Sequence, residues 1–147
     1  SMATDRLRRA AAVAALVALG GCADGYPSED RSLTSPHDMQ NPERLRVMNE
    51  IGGEAHRTRR WTYALESGCT LRITAWRGRE RGAPLDVAMS TTAAAEVRFD
   101  RDDDTYGVRL QPDGPALLEA SRFGTASQFL LLLRLVARDC EVRSDGG

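Results

Sequence analysis

The stretch "WTYALESGCTLRITAW", residues 61–76, alternates apolar and polar side chains on both sides of a single break. Trp61, Tyr63 and Leu65 interleave with Thr62, Ala64 and Glu66. After Ser67-Gly68, Cys69, Leu71, Ile73 and Ala75 interleave with Thr70, Arg72, Thr74 and Trp76. A period of two around a Ser-Gly turn predicts an antiparallel hairpin with one buried face. That hairpin needs a layer to cover it, and the sequence on both sides supplies candidates.

Downstream, "RGRERGAP", residues 77–84, reads as a loop. Leu85, Val87 and Met89 suggest a third strand, Val97 and Phe99 a fourth, and Tyr106, Val108 and Leu110 a fifth. "QPDGP", residues 111–115, is a strong turn signal, and residues 116–122 fit a short helix or a strand equally well. Then the period changes. Phe129, Leu132, Leu133, Val136 and Cys140 recur at i, i+3, i+4, i+7 and i+11, a helical stripe, and residues 125–128 resemble a capping box at its start. Upstream, Leu45, Met48 and Ile51 share a helical face, with Asn41-Pro42 as the expected cap and Gly52-Gly53 as the expected stop. The expected class is therefore α+β: an antiparallel sheet of about five strands, with an N-terminal and a C-terminal helix packed on it.

The 147 residues leave room for one domain with a real core. The basic residues are all arginine, and a net charge of −1 argues neither for nucleic acid nor for an anionic membrane surface. Ser1 ahead of Met2 has the look of a tag scar.

The start of the chain carries an address. Arg6, Arg8 and Arg9 precede an uninterrupted apolar run, residues 10–19. Ten helical residues span about 15 Å, half of a bilayer core, so the run is an export signal by length and not a membrane span. Leu19-Gly20-Gly21-Cys22 follows directly. This segment resembles the bacterial lipoprotein signal peptide. The resemblance implies cleavage before Cys22 and lipid on its sulfur and its new amino terminus. Several acyl chains anchor a protein stably where one does not. Ala23 after the cysteine favours the outer membrane, facing the periplasm. The expected organisation is a signal peptide over residues 1–21, a lipidated Cys22 with a flexible tether to residue 40, and one domain over residues 41–147.

With Cys22 given to lipid, Cys69 and Cys140 remain as an even pair in an oxidising compartment, and a disulfide between them is expected. Both point at the interface of sheet and helix. Residues 100–107 carry carboxylates at calcium-loop spacing, but Thr105 stands where such a loop needs glycine and Gln111 where it needs glutamate. A hairpin turn is expected there, and no metal. His37 and His56 are expected to be solvated. The chain has no phosphate-binding glycine loop, no G-x-S-x-G and no H-E-x-x-H. Neither a catalytic residue nor a cofactor is expected.

Two basic clusters remain: Arg57, Arg59 and Arg60 before the hairpin, and Arg77, Arg79 and Arg81 after it. A hairpin turning at residues 67–68 brings residues 58–60 beside residues 75–77. The clusters should meet at its open end as a patch for an anionic partner. The expected function is that of a membrane-anchored envelope lipoprotein that binds another envelope component, a protein or a polymer, and not nucleic acid. An immunity or inhibitor lipoprotein directed at a toxin or lytic enzyme is the alternative, and an envelope-acting hydrolase a more distant one.

Overall fold

The computed structural model describes residues 34–145, with side chains to residue 141. The signal peptide, Cys22 and the first part of the tether lie outside the described residues. The compact unit begins at Ser35, six residues ahead of the expected domain start. A single 3-10 turn, Pro36–Asp38, leads into helix α1 (Asn41–Glu54). Strands β1 (Arg59–Glu66), β2 (Thr70–Arg77), β3 (Glu80–Arg81) and β4 (Leu85–Ala88) follow. A 3-10 segment, Met89–Ala94, then leads to β5 (Glu96–Asp100), β6 (Thr105–Arg109), β7 (Ala116–Ala120) and helix α2 (Phe123–Asp145).

The class is α+β, with all strand pairs antiparallel. The strands divide between two sheets. In the first, β2 is central, with β1 on one side and the short β3 and β4 sharing the other; in the second the order is β5-β6-β7. The expected loop over residues 77–84 thus contains the two-residue strand β3.

The hairpin turn has three residues, not two, because Glu66 pairs with Thr70. The extra residue decides the faces. Trp61 lies opposite Ala75, Tyr63 opposite Ile73 and Leu65 opposite Leu71. A two-residue turn would have slipped the register by one and set these apolar residues against polar ones. The turn uses left-handed backbone at Gly68 (φ 75°) and at Cys69 (φ 55°). Cys69 therefore sits in the turn and not on the strand. Its Cα lies 5.9 Å from that of Cys140, and the two are joined as a disulfide.

The ambiguous residues 116–120 form β7, in which four of five side chains are buried. Its second edge is met by other parts of the domain: Ser121 N–H donates to Ala55 O (2.9 Å), and Tyr63 Oη to Leu117 O (2.7 Å). Helix α2 lies over both sheets' inner residues. Phe129, Leu132, Leu133 and Val136, the expected stripe, are fully buried with Leu71, Val108, Leu117 and Leu118. The helix begins at Phe123, ahead of the expected capping box, and Ala126 N–H already bonds to Arg122 O.

Helix α1 packs against the outer edge of β1. Asn49 forms both halves of a strand-like pairing there: its amide donates to Tyr63 O (2.9 Å) and accepts from Tyr63 N–H (2.7 Å). Gly52 does not end the helix, which runs on to Glu54. A Cβ at Gly52 would stand 2.2 Å from Trp61 O, so the glycine permits the helix to touch the strand backbone. The N-cap is Gln40, and Asn41 is the first helical residue. The buried face is Asn41, Arg44, Met48 and Gly52, with Leu45 and Ile51 only partly covered.

Arg44 is fully buried. It donates to Pro36 O (3.0 Å), His37 O (3.2 Å), Asn41 Oδ1 (3.0 Å) and Leu135 O (3.4 Å), and it pairs with Asp139. One guanidinium thus ties the entering chain, α1 and α2 together, and its own buried charge is met by these acceptors and by Asp139. The guanidinium of Arg138, and then that of Arg44, hold the Asp139 carboxyl below its ordinary value. No helix among the described residues is long and apolar enough to cross a membrane.

Candidate functional site

The hairpin register does bring the arginine clusters together. Arg59 lies opposite Arg77, and Arg60 opposite Trp76. Strand β3 extends both rows, since Trp76 pairs with Arg81 and Arg77 with Glu80. Side-chain alternation then separates them. The inner face carries the row Arg59–Arg77–Glu80, on the side of the core residues Trp61 and Tyr63. The outer face carries Arg60–Trp76–Arg81. The expected single patch is therefore two rows on opposite faces of one sheet end. Arg79 lies in the turn between β2 and β3, fully on the surface. Arg57 leaves the group altogether and lines a hollow with His56, Asp103 and Asp104.

On the outer face, the guanidinium carbons of Arg60 and Arg81 lie 5.5 and 5.8 Å from the Trp76 ring centre. Cation–π contacts of this kind contribute about 0.5–1 kcal/mol at exposed sites. Trp76 is held in turn, its Nε1–H donating to Thr62 Oγ1 (3.3 Å). Further along the same face the pattern is different. Arg72 meets Asp86 through two contacts, 2.9 and 3.3 Å, a hydrogen-bonded pair that lowers the Asp86 carboxyl below its ordinary value. Arg60 and Arg81 have no such carboxylate among the described residues.

On the inner face Arg59 donates to Glu119 Oε2 (2.9 Å). Glu119 is 6% exposed and sits on β7. Arg109 approaches its other oxygen at 3.7 Å, and His56 Nε2 lies 3.9 Å away. Burying a carboxylate is costly unless it is paired and hydrogen-bonded, and these cations supply the pairing. His56 is not solvated, as expected from sequence, but 14% exposed. Its Nδ1 accepts from Thr58 N–H (3.1 Å) and Arg59 N–H (3.2 Å), which leaves Nε2 to carry the proton and to face Glu119. His37 is exposed, as expected.

Of the six arginines singled out in the sequence, Arg59 alone has a carboxylate partner among the described residues. The acidic residues near 100–104 do not reach the others. They form the turn between β5 and β6, where Asp102 N–H bonds to Asp100 Oδ1 (2.9 Å). Among the described residues there is no group of three or more His, Cys, Asp or Glu placed to hold a metal ion.

Glu119 and Arg44 were missed in the sequence. Glu119 had a signal: it is one acid inside the apolar run "ALLEA". Arg44 had none, since an arginine on an amphipathic helix ordinarily faces water. Comparison with protein families, with curated proteins and with solved structures finds no match to this chain.

Proposed function

We propose that this protein is a lipid-anchored, non-catalytic binding domain of the bacterial envelope, and that its arginine end docks an anionic envelope component. The observation that carries the docking half is the contrast along one sheet. Arg72 pairs with Asp86, whereas Arg60 and Arg81 flank Trp76 with no carboxylate partner among the described residues. Unspent guanidinium groups on a rigid scaffold suit carboxylate and phosphate recognition, and cations beside an indole are common at interfaces. The sequence Leu19-Gly20-Gly21-Cys22 supports the anchor, and the Cys69–Cys140 pairing fits an oxidising compartment.

Two measurements test this reading. Metabolic labelling with a fatty-acid analogue in a bacterial host should mark the parent chain and not Cys22→Ser, and that variant should leave the membrane fraction or retain its signal. Capture of an envelope component by the parent chain should fall with rising salt and be lost in Arg60→Gln/Arg81→Gln. Capture that ignores both salt and these arginines contradicts the docking half. Unchanged fractionation of Cys22→Ser contradicts the anchor.

A further inference from the structure

Between the inner arginine row and β7 the domain leaves a cleft of about 450 Å³. This is within the range of small-molecule sites, roughly 300–1,000 Å³. Its apolar lining comes from Trp61, Ala75 and Ala116, and its charged lining from Arg59, Arg77, Arg81, Glu80 and Glu119. These charges are not equivalent. Arg59 and Glu119 are 2.9 Å apart and neutralise each other. Arg81 borders the cleft but carries its guanidinium over Trp76 on the outer face, and Arg77, with Glu80 as its register partner, makes no ion pair among the described residues.

The register adds a second argument. Arg59 and Arg77 stand directly opposite each other on one face. Like charges in that position are destabilising. Glu119 forms an ion pair with Arg59, whereas Arg77 has only its register neighbour Glu80 and no ion pair among the described residues. An anion entering the cleft would complete the balance and at the same time cover the apolar lining.

We propose that this cleft binds a small organic monoanion: one carboxylate held by Arg77, with a flat apolar body lying over Trp61, Ala75 and Ala116. The inference goes beyond the docking reading, which uses the outer row, because the cleft opens beside the inner row. One guanidinium without an ion pair, that of Arg77, favours a carboxylate over a doubly charged phosphate. The planar fork of arginine suits it as a bidentate partner.

The chain offers a direct reporter, because its two tryptophans, Trp61 and Trp76, both line the cleft. Intrinsic fluorescence of the full chain is titrated with benzoate, and separately with benzyl alcohol as a neutral analogue, at constant ionic strength. Benzoate should give a saturable change, and benzyl alcohol should bind at least tenfold more weakly. Arg77→Gln should weaken benzoate at least tenfold and leave benzyl alcohol unaffected. Ala116→Leu, which fills the cleft and spares the arginines, should weaken both. The circular dichroism spectrum and unfolding midpoint of each variant show that it is folded. A linear response, equal binding of the two compounds, or unchanged benzoate binding in Arg77→Gln overturns the inference. If benzoate fails while envelope capture still depends on Arg60 and Arg81, the cleft proposal falls and the docking reading stands. If benzoate binds as expected while capture ignores Arg60 and Arg81, the docking reading falls and the cleft remains.

Discussion

At its turn the β1–β2 hairpin is fixed by a disulfide and buried apolar pairs, and at its open end by one ion pair and exposed side-chain contacts. The turn end carries Cys69, bonded to Cys140 on α2, and Leu65 and Leu71 paired over the core. Met89 N–H also bonds to Cys69 O there (2.9 Å), which fastens the start of the 3-10 segment to the turn. The open end carries two facing arginines, a short third strand and a cleft. One ion pair, Arg59 to Glu119, reaches across to the second sheet. The contrast separates two uses of the same strands. Buried apolar pairs and a covalent link set the fold. Charges that weaken the local pairing persist where they are not needed for it, and such places are where ligand contacts become affordable.

The largest effect should come from the turn end. A disulfide closing a loop of 71 residues is worth about 4 kcal/mol in the chain-entropy argument, and removing a native disulfide from a small domain typically costs about 2–5 kcal/mol. Urea unfolding of Cys69→Ala/Cys140→Ala should show a loss in that range, and reduction of the parent chain should reproduce it. An unchanged midpoint would mean that the turn end is held by packing alone.

Gly52→Ala should follow closely. The added Cβ meets Trp61 O at 2.2 Å, so α1 must move off the edge of β1. Overpacking of this kind costs about 1–3 kcal/mol. Asn49 should then lose its two bonds to Tyr63, and hydrogen exchange at the Tyr63 amide should accelerate.

Tyr63 tests the middle of the hairpin. Its hydroxyl donates to Leu117 O, and burial pushes its pKa well above the ordinary value. A raised folded pKa means that the stability contribution is full below the ordinary tyrosine pKa, about 10, and is lost as pH rises beyond it. Tyr63→Phe should cost about 1–3 kcal/mol at neutral pH, because Leu117 O loses its buried donor. The same variant should flatten the alkaline limb of the stability–pH curve. A curve unchanged above pH 10 would place the ionisation elsewhere.

Much of this contrast was legible in residues 61–76. Alternation identified the buried face, and the apolar stripe from Phe129 to Cys140 identified its cover. The meeting of the two arginine clusters followed from the same hairpin. What alternation could not supply was the length of the turn, since Cys69 reads as a strand residue until its backbone is seen to be left-handed. Residues 116–120 were ambiguous for a related reason. "ALLEA" is a good helix former, and only burial on both faces between β6 and the rest of the core makes it a strand. The division into two sheets, the contact role of Gly52 and the burial of Arg44 depend on partners distant in the chain, which local pattern does not record. The site was half legible for the same reason. The arginines were visible, and Glu119, which decides which of them is spent, lies 60 residues from Arg59.

The smallest predicted change in stability tests the central claim most directly. Arg60, Arg77 and Arg81 are read as residues kept for a ligand and not for the fold. Urea unfolding of Arg60→Gln/Arg77→Gln/Arg81→Gln should give a midpoint within about 0.5 kcal/mol of the parent chain, or slightly above it, because relief of the Arg59–Arg77 repulsion offsets the lost Trp76 contacts. A loss of about 2 kcal/mol or more would show that these arginines hold the hairpin together, and would contradict the division between a fixed end and a binding end.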